Sequence, residues 1–288
     1  MRKPLCIFIL LCSLLALFGC ASAQSTAQIA ATTLPVYEFT SILCDGTNIQ
    51  VKQLITEEVS CLHDYTLRTE QMRTAEGAQL IVISGGGLED FLGNITDGKQ
   101  LIDASTNIDL HCGHDHDHEG HHHENDPHYW LSPKNAMVMV ENISAQLTEI
   151  YPEHTKTFAQ NKEMLLAKLT QLDENAQKSL QDLQCQDLIT FHDGFGYLAE
   201  AYDLHILKAI EEESGSEASA AELIEIINLV KEHHMTAIFI ERNGSSSAAD
   251  IIARETGAKI YILDMAMGGQ SYFDAMNHNI DTLKEALG

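Results

Sequence analysis

The chain has few basic residues and no paired cysteine motif. Only 17 of its 288 residues are Lys or Arg, against 42 Asp or Glu, so the formal net charge is −25 at pH 7. Such a surface repels nucleic acid and anionic lipid headgroups, and we expect neither as a direct partner. The seven cysteines include no CxxC pair of the kind found in zinc knuckles and redox proteins.

Motifs of the common zinc hydrolases and nucleotide-binding proteins are also missing. There is no HExxH helix, and a catalytic zinc needs an open position and a nearby general base. The Ser-Gly-Gly-Gly run at 84–87 lacks the ending of a phosphate-binding loop and predicts a tight strand-to-helix turn. We expect that the protein is not an enzyme; Asp64, Asp193 and Glu241 are the bases that an exported zinc enzyme would offer.

No apolar run is long enough to cross a membrane, and the one at the N-terminus is short. Arg2 and Lys3 precede an apolar segment at 5–17. A basic head and an apolar stretch of this length predict an export signal, because a membrane-spanning helix would be longer. We assign residues 1–19 to a signal peptide.

The end of the leader predicts a lipid anchor. The Gly-Cys junction at Cys20 resembles a bacterial lipobox, in which the cysteine is lipidated and becomes the first residue. Residues 20–28 would then form a tether at the outer face of the cell membrane, and any membrane association would come from the lipid alone. Cleavage after the Ala-Ser-Ala at 21–23 is the alternative and would give a soluble protein. The pairing of the later cysteines stays open: Cys44, Cys61, Cys112 and Cys185.

Histidine is concentrated in one acidic segment. Eight of the 15 histidines lie between Asp109 and Pro133, interleaved with Asp and Glu. Imidazole is the commonest ligand of borderline-soft divalent metals, and zinc prefers nitrogen donors. The sequence therefore predicts that a loop at 109–125 binds metal, with zinc as the first candidate. Seven histidines are predicted as accessory, low-affinity ligands: His111, His114, His116, His118, His121, His122 and His123.

Apolar β-rich runs alternate with amphipathic helical segments along most of the chain. Strands separated by helices imply parallel sheets with right-handed crossovers, and the chain length suits two lobes. Helices are expected at 220–233 and 247–256, the latter with Gly257 as its C-cap. The predicted strands are residues 28–33, 49–55, 80–84, 101–104, 188–191, 204–209, 237–240 and 260–263.

The segment 152–183 has a different pattern. Its apolar residues recur at three- and four-residue steps, which predicts one helix. About thirty helical residues span roughly 45 Å, more than a crossover needs. We interpret it as a rigid strut between two lobes; a coiled-coil dimer helix is the alternative, and we expect a monomer. The predicted division is an N-terminal α/β lobe at 29–150, a connecting helix at 151–184 and a C-terminal α/β lobe at 185–288.

Polar side chains follow several predicted strands. His63 and His128 belong to the first lobe, whereas His192 and Asp264 directly follow strands of the second. Ligand sites in open α/β sheets gather beyond the carboxyl ends of strands. A lone His or Asp after a strand is commonly a loop or cap residue. Three imidazoles and one carboxylate together, however, form a complete tetrahedral set for zinc.

The motifs around these residues, taken in order, resemble the zinc-binding solute-binding proteins of bacterial ABC importers, in the group with a rigid connecting helix. The resemblance covers nearly the whole chain after the leader. The motifs are Thr-Thr-Leu-Pro at 32–35, His-Asp-Tyr at 63–65, Asp-Pro-His-Tyr-Trp-Leu at 126–131, His-Asp-Gly-Phe-Gly-Tyr at 192–197 and Ile-Leu-Asp at 262–264.

The resemblance implies that His63, His128, His192 and Asp264 hold the metal in a cleft between two α/β lobes. It also implies delivery to a membrane permease driven by a cytoplasmic ATPase. The expected function is high-affinity capture of Zn²⁺ outside the cytoplasm for uptake. Two alternatives stay open: the same scaffold serving manganese or another divalent metal, and a zinc-buffering surface adhesin that uses the histidine loop alone.

The chain departs from the family pattern at two prolines. Leu62 replaces the proline that usually precedes the first histidine, and Met265 replaces the one that commonly follows the aspartate. The fourth ligand therefore stays open between Asp264, Glu241 and a water. Manganese-type relatives tend to carry a glutamate at the position of His192, and harder oxygen donors suit manganese, so the all-nitrogen trio favours zinc.

Overall fold

The computed structural model describes residues 28–59, 62, 65–111, 125–211, 218–242, 244, 246–269 and 271–288. Four predicted features lie outside these residues: the signal segment, the lipidation site Cys20, the first ligand motif at His63, and the histidine loop from 112 to 124. The sequence-based interpretations of these segments stay predictions.

Two parallel β-sheets form the frame of the molecule, and each of the predicted strands is present. The strand order is β2-β1-β3-β4 in the first sheet and β6-β5-β7-β8 in the second, with every neighbouring pair parallel. The predicted α/β class with two parallel-sheet lobes is confirmed. The strands are β1 (Ile29–Ala31), β2 (Val51–Gln53), β3 (Leu80–Ile83), β4 (Gln100–Asp103), β5 (Asp187–His192), β6 (His205–Glu211), β7 (Ala237–Glu241) and β8 (Lys259–Leu263).

Helices connect the strands within each sheet. Short 3₁₀ segments at Asp90–Thr96, Tyr129–Leu131 and Pro152–His154 complete the described structure. The α-helices are α1 (Leu34–Leu43), α2 (Thr69–Gly77), α3 (Pro133–Ile150), α4 (Thr155–Leu180), α5 (Gly196–Ala201), α6 (Ala220–Glu232), α7 (Ser247–Thr256) and α8 (Tyr272–Leu287).

The two helices predicted in the second lobe have the expected end signals. Ser219 caps α6: its backbone N–H donates to Glu222 Oε2 at 2.7 Å, and its Oγ accepts from the Glu222 N–H at 3.3 Å. Gly257 ends α7 with φ +81°, a left-handed conformation that costs glycine little. Local sequence chemistry therefore determines where both helices begin or end.

The long helix α4 lies inside the segment where one long helix was predicted. Its apolar stripe is buried against α3 and α1 on one side of the molecule and α8 on the other. Because the chain itself covers this stripe, α4 connects the lobes as the strut interpretation predicted, and the coiled-coil alternative is not needed. The buried residues are Phe158, Leu165, Leu169, Leu172, Asp173, Ala176 and Leu180.

The lobes share an apolar core and direct hydrogen bonds. The indole Nε1 of Trp130 donates to the Met265 carbonyl at 2.8 Å, and the Tyr272 hydroxyl donates to the Trp130 carbonyl at 2.7 Å. The Leu34 N–H donates to the Met267 carbonyl at 2.9 Å. The largest cluster of buried side chains includes residues of both lobes. This packing favours small movements over a wide opening of the cleft.

Three further features of the described residues bear on the sequence predictions. The glycines at 85–87 all have positive φ, as the predicted tight turn requires. Cys44 and Cys185 both carry free thiols, and Cys61 and Cys112 lie outside the described residues. Within the described part of the chain, the helices are too short or too polar to span a bilayer.

Candidate metal site between the lobes

His128 has the geometry of a metal ligand. Its side chain is buried, and its Nδ1 lies 2.8 Å from Oδ1 of Asp126, which also accepts the His128 backbone N–H at 2.9 Å. An ionised carboxylate only accepts, so Nδ1 carries the proton and Nε2 presents its lone pair. Nε2 is buried and has no hydrogen-bond partner among the described residues. A carboxylate that orients an imidazole in this way is typical of metal-binding histidines.

His192 brings a second imidazole to the same place from the other lobe. It is the last residue of β5 and is buried, and its ring centroid lies 5.1 Å from that of His128, with the two planes nearly perpendicular. A Cβ at Gly194 would lie 2.9 Å from His128 Nδ1 and 2.8 Å from His192 Cδ2. The missing side chain at Gly194 therefore lets the two rings approach.

The charge of Asp126 is stabilised at this site. Burial raises the pKa of its carboxyl, but the hydrogen bonds from His128 and the nearby imidazoles of His128 and His192 together outweigh burial and lower the pKa below its usual value. Asp126 therefore stays ionised, and it keeps orienting His128 across the physiological range.

Asp264, the fourth predicted ligand, already has partners in the second lobe. Its Oδ2 accepts from Arg242 Nε at 2.8 Å, and its Oδ1 accepts from the Ala266 N–H at 2.8 Å. Asn279 holds the backbone of Asp264 through two hydrogen bonds of 2.7 Å, one to its N–H and one to its carbonyl. This amide clamp fixes the segment where Met265 replaces the family's proline.

The described residues around the predicted first ligand motif belong to the first lobe, and those before it contact the second lobe. Leu62 is buried, and its carbonyl accepts from the Tyr65 N–H at 3.1 Å. Upstream, the Glu57 carbonyl packs against Gly268, where an added Cβ would lie only 1.9 Å away. Gly268 belongs to the second lobe and follows Asp264 by four residues. The two lobes are therefore in contact a few residues before the predicted first ligand.

The described residues supply part of the predicted ligand set. Among them, no three His, Cys, Asp or Glu side chains converge on one point as a metal site would require. The third predicted imidazole, His63, lies outside them. Of the accessory histidines only His111 is described, and its imidazole contacts Glu200 and Tyr197 of the second lobe.

A buried carboxylate supports the turn beneath His128. Glu89 accepts from the Thr32 hydroxyl and the Ser84 N–H, each at 2.7 Å, and from the Gly85 N–H at 2.9 Å. The Ser84 carbonyl in turn accepts from the hydroxyl of Tyr129, the residue after His128. Burial raises the pKa of Glu89 to about 7, although these hydrogen bonds oppose the increase.

Sequence reasoning missed two residues that shape the site. Arg242 directly follows β7. A basic residue is uncommon in so acidic a chain, and its position at a strand end could have indicated a role at the site. Asn279 lies in the middle of α8 and gave no signal, because nothing in its local pattern distinguishes it from a solvent-facing residue.

Two parallel-sheet lobes joined by a long helix, with imidazoles from both lobes meeting in the cleft, define the class of two-lobed solute-binding proteins. The chain belongs to the family described as "Zinc-uptake complex component A periplasmic", whose sequence profile matches residues 29–286.

Characterised relatives agree with this assignment. The chain is 32% identical to the high-affinity zinc uptake system protein ZnuA of Bacillus subtilis, over 90% of this chain and 87% of that protein. It is 31% identical to the zinc-binding lipoprotein AdcA of Streptococcus pneumoniae, over 97% of this chain. The crystal structure of Zn(II)-bound AdcA from S. pneumoniae superposes with a TM-score of 0.75 at 30% identity, covering 90% of this chain and 57% of that one. The chain thus spans 56% to 60% of the length of the AdcA proteins it matches.

Proposed function

We propose that this protein captures Zn²⁺ outside the cytoplasm and delivers it to the permease of an ABC importer. The observation that carries the proposal is the buried Nε2 of His128, which has no hydrogen-bond partner among the described residues and belongs to a ring 5.1 Å from that of His192. A buried polar nitrogen without a partner is costly unless a ligand satisfies it. The relatives are zinc uptake and zinc-binding proteins, which supports zinc as that ligand.

The proposed ligands are His63, His128, His192 and Asp264. Three imidazole nitrogens and one carboxylate complete a tetrahedral zinc site and leave no position for a reactive water, so we propose binding without catalysis. Nitrogen donors also favour zinc over manganese. Asp264 would keep its hydrogen bond from Arg242 and bind the metal through a remaining lone pair. Its contribution is therefore proposed to be smaller than that of an imidazole.

Zinc in this cleft would bridge the lobes. The apolar core and the hydrogen bonds that already join them, such as that from Trp130 to Met265, support a closure limited to local loop shifts. Bound zinc would then shift the population towards one arrangement of the cleft, and the permease would recognise that arrangement.

The location of the protein is proposed from its leader and its relatives. The signal segment at 1–19 and the lipobox-like Cys20 support export and lipid anchoring, and the pneumococcal relative is named a lipoprotein. The histidine loop that precedes His128 is proposed to gather zinc for the cleft. The monomeric state remains part of the proposal.

Replacing the three proposed imidazoles together tests this function. We expect that substituting His63, His128 and His192 by Ala, in a chain that lacks residues 112–124, abolishes tight zinc binding in a chelator-competition titration. Loss of the imidazoles removes the bonds that zinc prefers, whereas the fold survives because the core is elsewhere.

The matched control replaces three histidines outside the predicted site by Ala: the exposed His205 and His233 and the half-buried His154. This variant should bind zinc as tightly as the parent. Tight binding that persists in the cleft variant would overturn the proposal, and so would equal losses in the two variants.

A further inference from the structure

A single hydroxyl group joins the two ends of the histidine loop. The described chain enters the loop at His111 and leaves it by Asp126, whose N–H donates to the His111 carbonyl at 2.9 Å. The Tyr197 hydroxyl accepts from the His111 N–H at 2.8 Å and donates to the Asp126 carbonyl at 2.9 Å. These three residues form the loop stem.

Tyr197 belongs to the opposite lobe. It lies in α5, five residues after His192, and only 2% of it is exposed. The His111 ring stacks on the Tyr197 ring with centroids 4.0 Å apart, and His111 Nε2 lies 2.9 Å from Glu200 Oε2. Burial raises the pKa of Tyr197 to about 12, so its hydroxyl keeps the proton that it donates. The stem is thus fastened across the cleft.

Asp126 connects the stem to the metal site. Its carbonyl is held by Tyr197, while its carboxylate holds both the backbone N–H and the Nδ1 of His128. The position of this carboxylate sets the orientation of the His128 ring. Any shift of the Asp126 backbone would therefore rotate His128 relative to His192, which lies on the same segment of chain as Tyr197.

We propose that Tyr197 is a positioning residue for zinc binding: by holding the Asp126 carbonyl from across the cleft, it keeps the His128 imidazole in register with His192. The inference rests on the proposed function. The residue acts through Asp126 and does not itself touch the metal. Tyr197 also attaches the loop stem to the lobe that supplies His192. The geometry of the cleft and the attachment of the loop therefore depend on the same tyrosine hydroxyl.

The test is Tyr197→Phe in the full chain, because phenylalanine keeps the ring that stacks on His111 and removes only the hydroxyl. Zinc affinity is measured by chelator competition at substoichiometric zinc, where only the tightest site fills. We expect about a tenfold loss of affinity, which is the lower end of the range for groups that orient a metal ligand. The loss should appear as faster zinc release in stopped-flow chelation. Tyr202→Phe, which alters a tyrosine hydroxyl bonded to Asp173 in the same lobe, is the matched control and should match wild type.

A double-mutant cycle separates positioning from general destabilisation. If Tyr197 acts through Asp126, then Asp126→Asn alone and Asp126→Asn with Tyr197→Phe should bind zinc equally, because the orienting carboxylate is already lost. Additive losses in the cycle, or wild-type affinity in Tyr197→Phe, would overturn the proposal. If Tyr197→Phe does not fold, Tyr197→Leu replaces it, since leucine also lacks the hydroxyl that donates to the Asp126 carbonyl; a loss of affinity is again expected, and wild-type affinity would contradict the proposal.

The cleft variant at His63, His128 and His192 distinguishes the two levels of inference. When it loses the tight site but Tyr197→Phe does not weaken binding, only the positioning proposal fails. When the cleft variant keeps its tight site, the proposed function itself fails.

Discussion

Arg242 Nε donates to Asp264 Oδ2 at 2.8 Å, and each residue directly follows its strand, β7 or β8, in the same sheet. Parallel neighbours bring their carboxyl ends to one edge, so a cation and an anion that are 22 positions apart become a pair. A metal that binds Asp264 must therefore share its carboxylate with a guanidinium, which weakens this ligand relative to a neutral imidazole.

The first prediction concerns this shared ligand. We expect Asp264→Asn to lower zinc affinity by about tenfold, because an amide oxygen binds zinc more weakly than a carboxylate does, whereas His128→Ala should cost more. Chelator competition measures both variants, with circular dichroism to confirm folding.

Glu241→Gln serves as the comparison for the fourth ligand. Its side chain is also buried at the end of β7, and we expect this variant to bind zinc almost normally. A larger loss for Glu241→Gln than for Asp264→Asn would assign the fourth position to Glu241.

The second prediction concerns the carboxylate that orients His128. Asp126→Asn should lower zinc affinity by about 10- to 100-fold, since an amide no longer stabilises the proton on Nδ1 and the free Nε2 lone pair. Cobalt(II) substitution followed by visible spectroscopy would report a changed coordination geometry. Asp109→Asn removes a nearby exposed charge and should leave the spectrum and the affinity unchanged; equal effects of the two variants would show that only net charge matters.

The third prediction concerns the histidine loop. Deleting residues 112–124 should leave the affinity of the cleft site within about twofold, because His128 is held by Asp126 from outside the deleted segment. Growth of cells under zinc limitation should nevertheless be slower, because fewer ions are gathered near the cleft. Unchanged affinity combined with unchanged uptake would exclude the relay role of the loop.

The fourth prediction concerns pH and the buried Glu89. Its pKa is raised from an ordinary value of 4.5 to about 7 in the folded protein. Between those two pH values the folded state therefore keeps a proton that the unfolded state has lost. The contribution of Glu89 to stability therefore falls as pH rises from about 4.5 to about 7, by an amount on the order of 3 kcal/mol.

This effect is measured by urea unfolding of wild type and Glu89→Gln at several pH values, with a chelator present to keep the proteins free of metal. The free energy of unfolding of wild type minus that of the variant should decrease across the window, because glutamine does not titrate. Glu174→Gln, at an exposed position on α4, should show no such change. A constant difference across the window for Glu89→Gln would mean that Glu89 is not the titrating group.

Prediction from sequence succeeded where the signal was local or periodic. The eight strands, the stripe along α4 and the glycine cap at Gly257 each follow from spacing or backbone preference over a few residues. The motifs that carry His128 and His192 were visible for the same reason. The sequence did not show that Asp264 would be paired with Arg242, since that depends on strand order within the sheet.

The amino-acid sequence by itself determined the two-lobed α/β class, the acidic surface, the histidine loop and the types of side chain available to a metal. Only the tertiary structure decided which atoms meet: His128 with His192, Asp126 under the ring of His128, and Tyr197 across the loop stem. The physical reason is that periodicity and turn chemistry act between neighbours in the chain. The approach of two imidazoles from different lobes depends instead on how the sheets and α4 pack, which no local pattern encodes.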